Sequence, residues 1–233
     1  MCAASRLLHR CPLHVSIRCV SMPRAVLKSH GCWRERNVNM AAPKRVFLLS
    51  GWKKLPDSIY FPQLIEHLAA KGCRVIKATQ PVGDGDIEAA VRNFHSLLDA
   101  NGGPGRDAFV IGQSIGQQTA MRGIAALPHG ACMGGLVCMG AWLDVVDGRS
   151  GSMAPWCDTS TLQFSSLSSK CSGNIGIVYS TDDPVTALGQ AQVSLFHRHL
   201  PDAKYFIASD RGHYIVPQLL PQELEFIDRI LML

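Results

Sequence analysis

Three residue types in this 233-residue chain could do chemistry together. Ser114 sits in Gly112-Gln113-Ser114-Ile115-Gly116, Asp182 and Asp183 stand before Pro184, and His213 follows Gly212. A serine hydroxyl at neutral pH is a weak nucleophile. It needs a base to take its proton, and the base needs a carboxylate to fix its tautomer and orientation. Serine, acid and histidine occur here in that order, and the chemistry they imply is acyl transfer through a covalent intermediate.

The setting of Ser114 sharpens the expectation. Asp107-Ala108-Phe109-Val110-Ile111 is a short, largely apolar run ending at Gly112, and Ile115, Ala120, Met121, Ile124 and Leu127 recur at helical spacing until Pro128. Strand, Gly-x-Ser-x-Gly and helix in succession describe a nucleophile elbow. The turn is sharp enough that side chains two residues before and after the serine would clash. It lifts Oγ to the carboxyl edge of a sheet, beside the N–H groups of the new helix. A dinucleotide fingerprint would need a third glycine, and a phosphate loop would need Gly-Lys followed by Ser or Thr; neither is present. An ordinary glycine-bounded turn is the bland alternative.

Only a histidine just past the last strand can reach such a serine, and His213 stands there. His67 and His95 fall mid-helix, His129 follows Pro128, and His197 and His199 fall on a surface helix. Of the adjacent acids, Asp183 is the expected partner of the imidazole. Pro184 biases it to an extended conformation, which leaves Asp182 to bond local backbone N–H groups. An Asx turn capping the next helix is the alternative use of the pair. Two N–H groups should form the oxyanion hole: that of Ile115, after the nucleophile, and that of Trp52, in the loop after the first strand.

These residues require a scaffold, and the pattern supplies one. Apolar runs at Arg45–Ser50, Cys73–Lys77, Phe109–Gly112, Gly134–Met139, Asn174–Tyr179 and Ala203–Ala208 read as six strands. Helical periodicity separates most of them, with helices over Ile59–Lys71, after Asp86, after Ser114 and from about Pro221. The alternation predicts an α/β fold: a mostly parallel six-stranded sheet with helices on both faces. Ala141 to Lys170 is too long for a plain connection. It is expected to be a short lid-like insertion whose Trp156 lines an acyl pocket, or a partly helical surface loop whose aromatics complete the core.

Charge is distributed unevenly. Residues 1–39 carry seven basic side chains and one acid, whereas residues 40–233 carry 16 basic and 17 acidic ones. The body therefore has no general basis for binding nucleic acid. Residues 1–39 read as a basic leader, disordered or transit-like, before a single domain over residues 40–233. A mitochondrial transit peptide and an over-extended start upstream of Met40-Ala41-Ala42-Pro43-Lys44 both fit. An odd count of nine cysteines with no Cys-x-x-Cys pair is neither a disulfide framework nor a zinc site. It implies a reducing compartment, cytoplasmic or, with a genuine transit peptide, mitochondrial. No apolar run is long enough to span a membrane. A protein partner is possible but not indicated.

From Arg45 to the C-terminus the chain resembles the small α/β-hydrolases of the retinoblastoma-binding serine hydrolase (YdeN-like) family. The resemblance rests on Gly112-x-Ser114-x-Gly116 followed by Ala120-Met121-Arg122, on Pro155-Trp156, on Ser180-Thr181-Asp182-Asp183-Pro184 and on Gly212-His213. It implies catalytic roles for Ser114, Asp183 and His213. Relatives usually carry His where this chain has Gln113, and a more glycine-rich loop where it has Ser50-Gly51-Trp52-Lys53. Those departures bear on substrate preference and mark Gln113, with Trp156, as candidate substrate-binding residues. The expected function is a serine hydrolase acting on a small ester, amide or thioester, with no metal or organic cofactor. The alternative is a hydrolase fold kept as a protein-binding module with little or no catalytic activity.

Overall fold

The computed structural model describes residues 42–51, 59–78, 86–145, 151–186 and 190–233. Residues 1–39 and Trp52 lie outside the described residues, as do residues 146–150 of the 141–170 insertion.

Six strands form one sheet: β1 (Arg45–Leu49), β2 (Arg74–Ala78), β3 (Ala108–Gln113), β4 (Gly135–Met139), β5 (Ile175–Ser180) and β6 (Lys204–Ala208), in the order β2-β1-β3-β4-β5-β6. All five pairings are parallel. The four inner strands are buried at every position, whereas β2 and β6 mix exposed and half-buried residues. That burial on both faces explains why the inner strands read as unbroken apolar runs.

Two cores result. On one face Phe47, Leu49, Val110, Leu136, Cys138 and Ile177 pack against Phe94, Met121, Ile124, Leu167 and Phe196. These come from α2 (Ile87–Ala100), α3 (Ile115–Ala125), α5 (Phe164–Lys170) and α6 (Gln190–His199). On the other face Val46, Leu48, Phe109, Ile111, Val137 and Val178 meet α1 (Phe61–Ala70) and α7 (Pro221–Leu231) through Leu64, Leu68, Phe226, Ile227 and Ile230. Helix starts follow local chemistry: Asp86 accepts from the Ala89 N–H at 2.7 Å, and Pro62 and Pro221 occupy first-turn positions that need no donor.

The order reverses at β1. Its neighbours β2 and β3 are reached in opposite directions, which opens a crevice at the carboxyl ends of β1 and β3, where ligands bind in sheets of this kind. Beyond β4 the insertion folds as a 3-10 turn at Gly151–Met153, α4 (Ala154–Cys157), a second 3-10 turn at Thr159–Thr161, and α5. Among the described residues no helix is long and apolar enough to cross a membrane.

Candidate active site

Ser114 lies at the carboxyl end of β3 and caps α3, with φ 52° and ψ −120°. A non-glycine residue in that region is strained and is held only where its surroundings fix it. The surroundings here are backbone. A Cβ on Gly112 would meet Gln117 Cα at 2.6 Å, and one on Gly116 would meet Leu49 O at 2.4 Å. Both are closer than side chains pack, so helix and strand ends can approach only across glycine. The Ser114 N–H is anchored to Met139 O at 2.9 Å.

Three side chains from three strand ends meet in one hydrogen-bonded line. Ser114 Oγ is 2.7 Å from His213 Nε2, and His213 Nδ1 is 2.7 Å from Asp183 Oδ2. Asp183 is an acceptor, so Nδ1 carries the proton and Nε2 is left to accept from the serine hydroxyl. Asp183 and His213 are both buried. The second carboxylate oxygen of Asp183 accepts from the N–H groups of Val185, at 2.8 Å, and Thr186, at 3.3 Å. Asp183 thus serves both the imidazole and an Asx turn.

Asp182 does something else. The exposed carboxylate of Asp182 reaches across to the histidine loop and accepts from the N–H groups of Arg211, at 3.2 Å, and Gly212, at 3.1 Å. It therefore bonds backbone, as expected, but the backbone is that of another strand's loop. The hydroxyl of Ser180 also donates to it and, with the Gly212 N–H, holds its carboxyl below the ordinary range. The histidine loop needs such support because Asp210, Gly212 and Tyr214 all have positive φ. A second clamp comes from α7. Buried Glu223 takes Arg211 Nε and Nη2, both at 2.9 Å, in a bidentate pair and also accepts from the Leu220 N–H at 2.7 Å. Nothing in the sequence pattern marks Arg211 and Glu223 as partners. The signal is tertiary: a buried acid in the first turn of one helix opposite a basic residue two places before His213.

Of the remaining anticipated residues, Gln113 is buried and spent on the protein itself. Its amide donates to the His213 carbonyl at 3.3 Å, and its Oε1 lies where a Cβ on Gly51 would fall. Ile115 is the first residue of α3, so its N–H is one that a helix leaves without an intrahelical partner, beside Ser114. Trp156 is buried with Trp142, Val145, Ala90 and Ile115, in a small cluster against the residue that follows the serine. The amides of Gln117 and Gln118 both donate to Trp142 O, tying that cluster to α3. Among the described residues no group of three or more potential metal ligands occurs.

No protein-family model matches the sequence, and no curated relative does. Solved structures do match. The ydeN gene product of B. subtilis superposes with a TM-score of 0.66 at 16% identity, over 82% of this chain and 100% of that one. Arabidopsis thaliana SOBER1 gives a TM-score of 0.53 at 14% identity, over 82% and 98%. The esterase RhEst1 of Rhodococcus sp. ECU1013 gives 0.52 at 13%, over 82% and 91%. The chain has the α/β-hydrolase fold, as its motifs led one to expect.

Proposed function

We propose that the chain is a serine hydrolase that cleaves a small ester, amide or thioester through an acyl-enzyme on Ser114. The observation that carries this reading is the unbroken line Ser114 Oγ, His213 Nε2, His213 Nδ1, Asp183 Oδ2, with 2.7 Å at each junction. Ser114 Oγ attacks the carbonyl carbon while its proton passes to His213 Nε2. Asp183 holds the imidazole in the required tautomer and stabilises its cation. Negative charge gathering on the carbonyl oxygen falls at the amino end of α3, where the Ile115 N–H and the helix dipole favour it. The Trp52 N–H is the proposed second donor. His213 returns the proton to the leaving group, and water, activated by the same imidazole, then clears the acyl group. No step needs a metal or organic cofactor.

The match to structures that include an esterase supports hydrolysis in general. Trp156, packed with Ile115 and Trp142 beside the serine, is the proposed apolar wall for the acyl group. The five described cysteines are all free thiols, which supports a reducing compartment. A fluorophosphonate probe tests the proposal. It should label the wild-type chain on Ser114 and leave Ser114→Ala unlabelled, with the fold unchanged by circular dichroism. A wild-type chain that neither labels nor turns over p-nitrophenyl acetate is not a serine hydrolase, and the fold would then serve as a binding module.

A further inference from the structure

Arg122 lies on α3 two turns beyond Ser114 and takes no part in the chemistry above. It is 7% exposed. Nη1 donates to Gln118 Oε1, and Nη2 donates to the carbonyls of Trp156 and Asp158, each at 3.1 Å. All three acceptors are neutral. Nε is buried with no hydrogen-bond partner. Burial pushes the guanidinium down to about 10, and the field of Asp158 offsets this only in part, so Arg122 is a cation at neutral pH. The Trp156 ring lies 5.7 Å from the guanidinium carbon and Asp158 acts on it through space, but among the described residues no carboxylate is hydrogen-bonded to this buried cation, and burial of a charge is best offset by a directly paired one.

Arg122 is also part of the wall of a cavity of about 370 Å³. Ile87 and Val91 of α2, with Ala125 and Ala126 at the end of α3, supply its apolar surface, and Thr161 closes one side. The two other charged residues of the wall, Glu88 and Arg92, pair with each other at 3.3 Å. One net positive charge remains, set beside an aliphatic surface in a space large enough for a small ligand.

We propose that this cavity, between α2, α3 and the Thr159–Thr161 turn, is a second ligand site that takes a small monocarboxylate bearing a short aliphatic chain. The carboxylate is drawn by the positive charge of Arg122, and the chain lies against Ile87, Val91 and Ala125. The occupied site also braces the insertion, since Arg122 already holds the carbonyls of Trp156 and Asp158 and Trp156 packs on Ile115.

The test is a titration of the full chain with sodium hexanoate and, separately, with hexan-1-ol, followed by backbone amide shifts. Hexanoate should give saturable shifts at Val91, Ala125 and Ala126, with an affinity at least about tenfold above that of hexanol. Arg122→Met, which removes the charge, should lose most of that preference. Because Arg122 also braces the insertion, a second variant is needed. Ala126 is exposed, and Ala126→Trp should fill the mouth of the cavity and weaken hexanoate about tenfold. Equal affinity for hexanol, shifts confined to residues around Ser114, or undiminished binding in Ala126→Trp would each overturn the proposal.

Discussion

Between Gly112 and Gly116 the chain turns within five residues. The contacts that fix the turn are close backbone approaches to the end of β1 and the first turn of α3. Between Asp210 and Leu220 the chain also turns, but it is held from outside. Asp182 takes two of its N–H groups, Glu223 takes its arginine, and Gln113 takes the carbonyl of its histidine. One loop is set by close backbone sterics, within the turn itself and against the end of β1. The other is set by polar contacts from three other strands and helices. The serine should therefore be hard to move and easy to disable chemically, whereas the histidine should be open to displacement by changes that touch no reacting atom.

Mutations can break or sharpen that contrast. The largest effect is expected at the shared chemistry: Asp183→Asn should lower kcat by up to about 10⁴, because the imidazole loses its tautomer. Turnover of p-nitrophenyl acetate measures it, and a melting temperature close to wild type would separate it from unfolding. Next is Glu223→Gln, which leaves the Arg211 guanidinium without its counter-charge in a largely buried place. Breaking such a pair costs about 3–5 kcal/mol, so the melting temperature should fall sharply and kcat with it. Wild-type kcat at a temperature where the variant is folded would show that the clamp does not position His213.

Gly116→Ala should cost about 1–3 kcal/mol, since the added methyl forces the end of β1 aside. Urea denaturation measures it, and a neutral result would mean the serine turn is softer than its contacts imply. The smallest effect is expected at Asp182. Its carboxyl is held below the ordinary range, so its contribution is present above the unfolded value of about 3.9 and is lost as pH falls through the lower folded value. Amide exchange at Gly212 should therefore quicken below about pH 4 in the wild type, beyond the intrinsic trend. Asp182→Asn should show no such step.

The same contrast decides what could be read from the sequence. Gly112, Ser114 and Gly116 announce their turn because the residues that make it are contiguous, and each strand falls within a residue or two of its expected place, the four inner ones because burial on both faces demands a continuous apolar run. The helix expected from Ile59 begins at Phe61, where Pro62 fits a first turn. Asp183 was legible through Pro184, and His213 through its place after the last strand. Asp182 was only half legible, since its donors could be named as backbone N–H groups but not located about 30 residues away. Arg211 and Glu223 were not legible at all, because a bidentate pair between a loop and a helix leaves no periodicity behind. Gln113 drew attention as a departure from a resembling family, yet its partner, a backbone carbonyl, has no residue type to betray it.

Adjacent Asp182 and Asp183 grip two successive parts of one loop, the first its backbone and the second its imidazole. They stand just past β5, the loop just past β6, and the two strands align from Gly176 opposite Lys204 to Ser180 opposite Ala208. Edge strand β6 is only half-buried, so hydrophobic contact alone polices its alignment loosely. A slip of two residues would keep every side chain on its proper face while carrying the loop along by about 7 Å. The two carboxylates then act as a gauge with two jaws: a chain that closes in the wrong alignment satisfies neither, and only the alignment that satisfies both brings an imidazole to the serine.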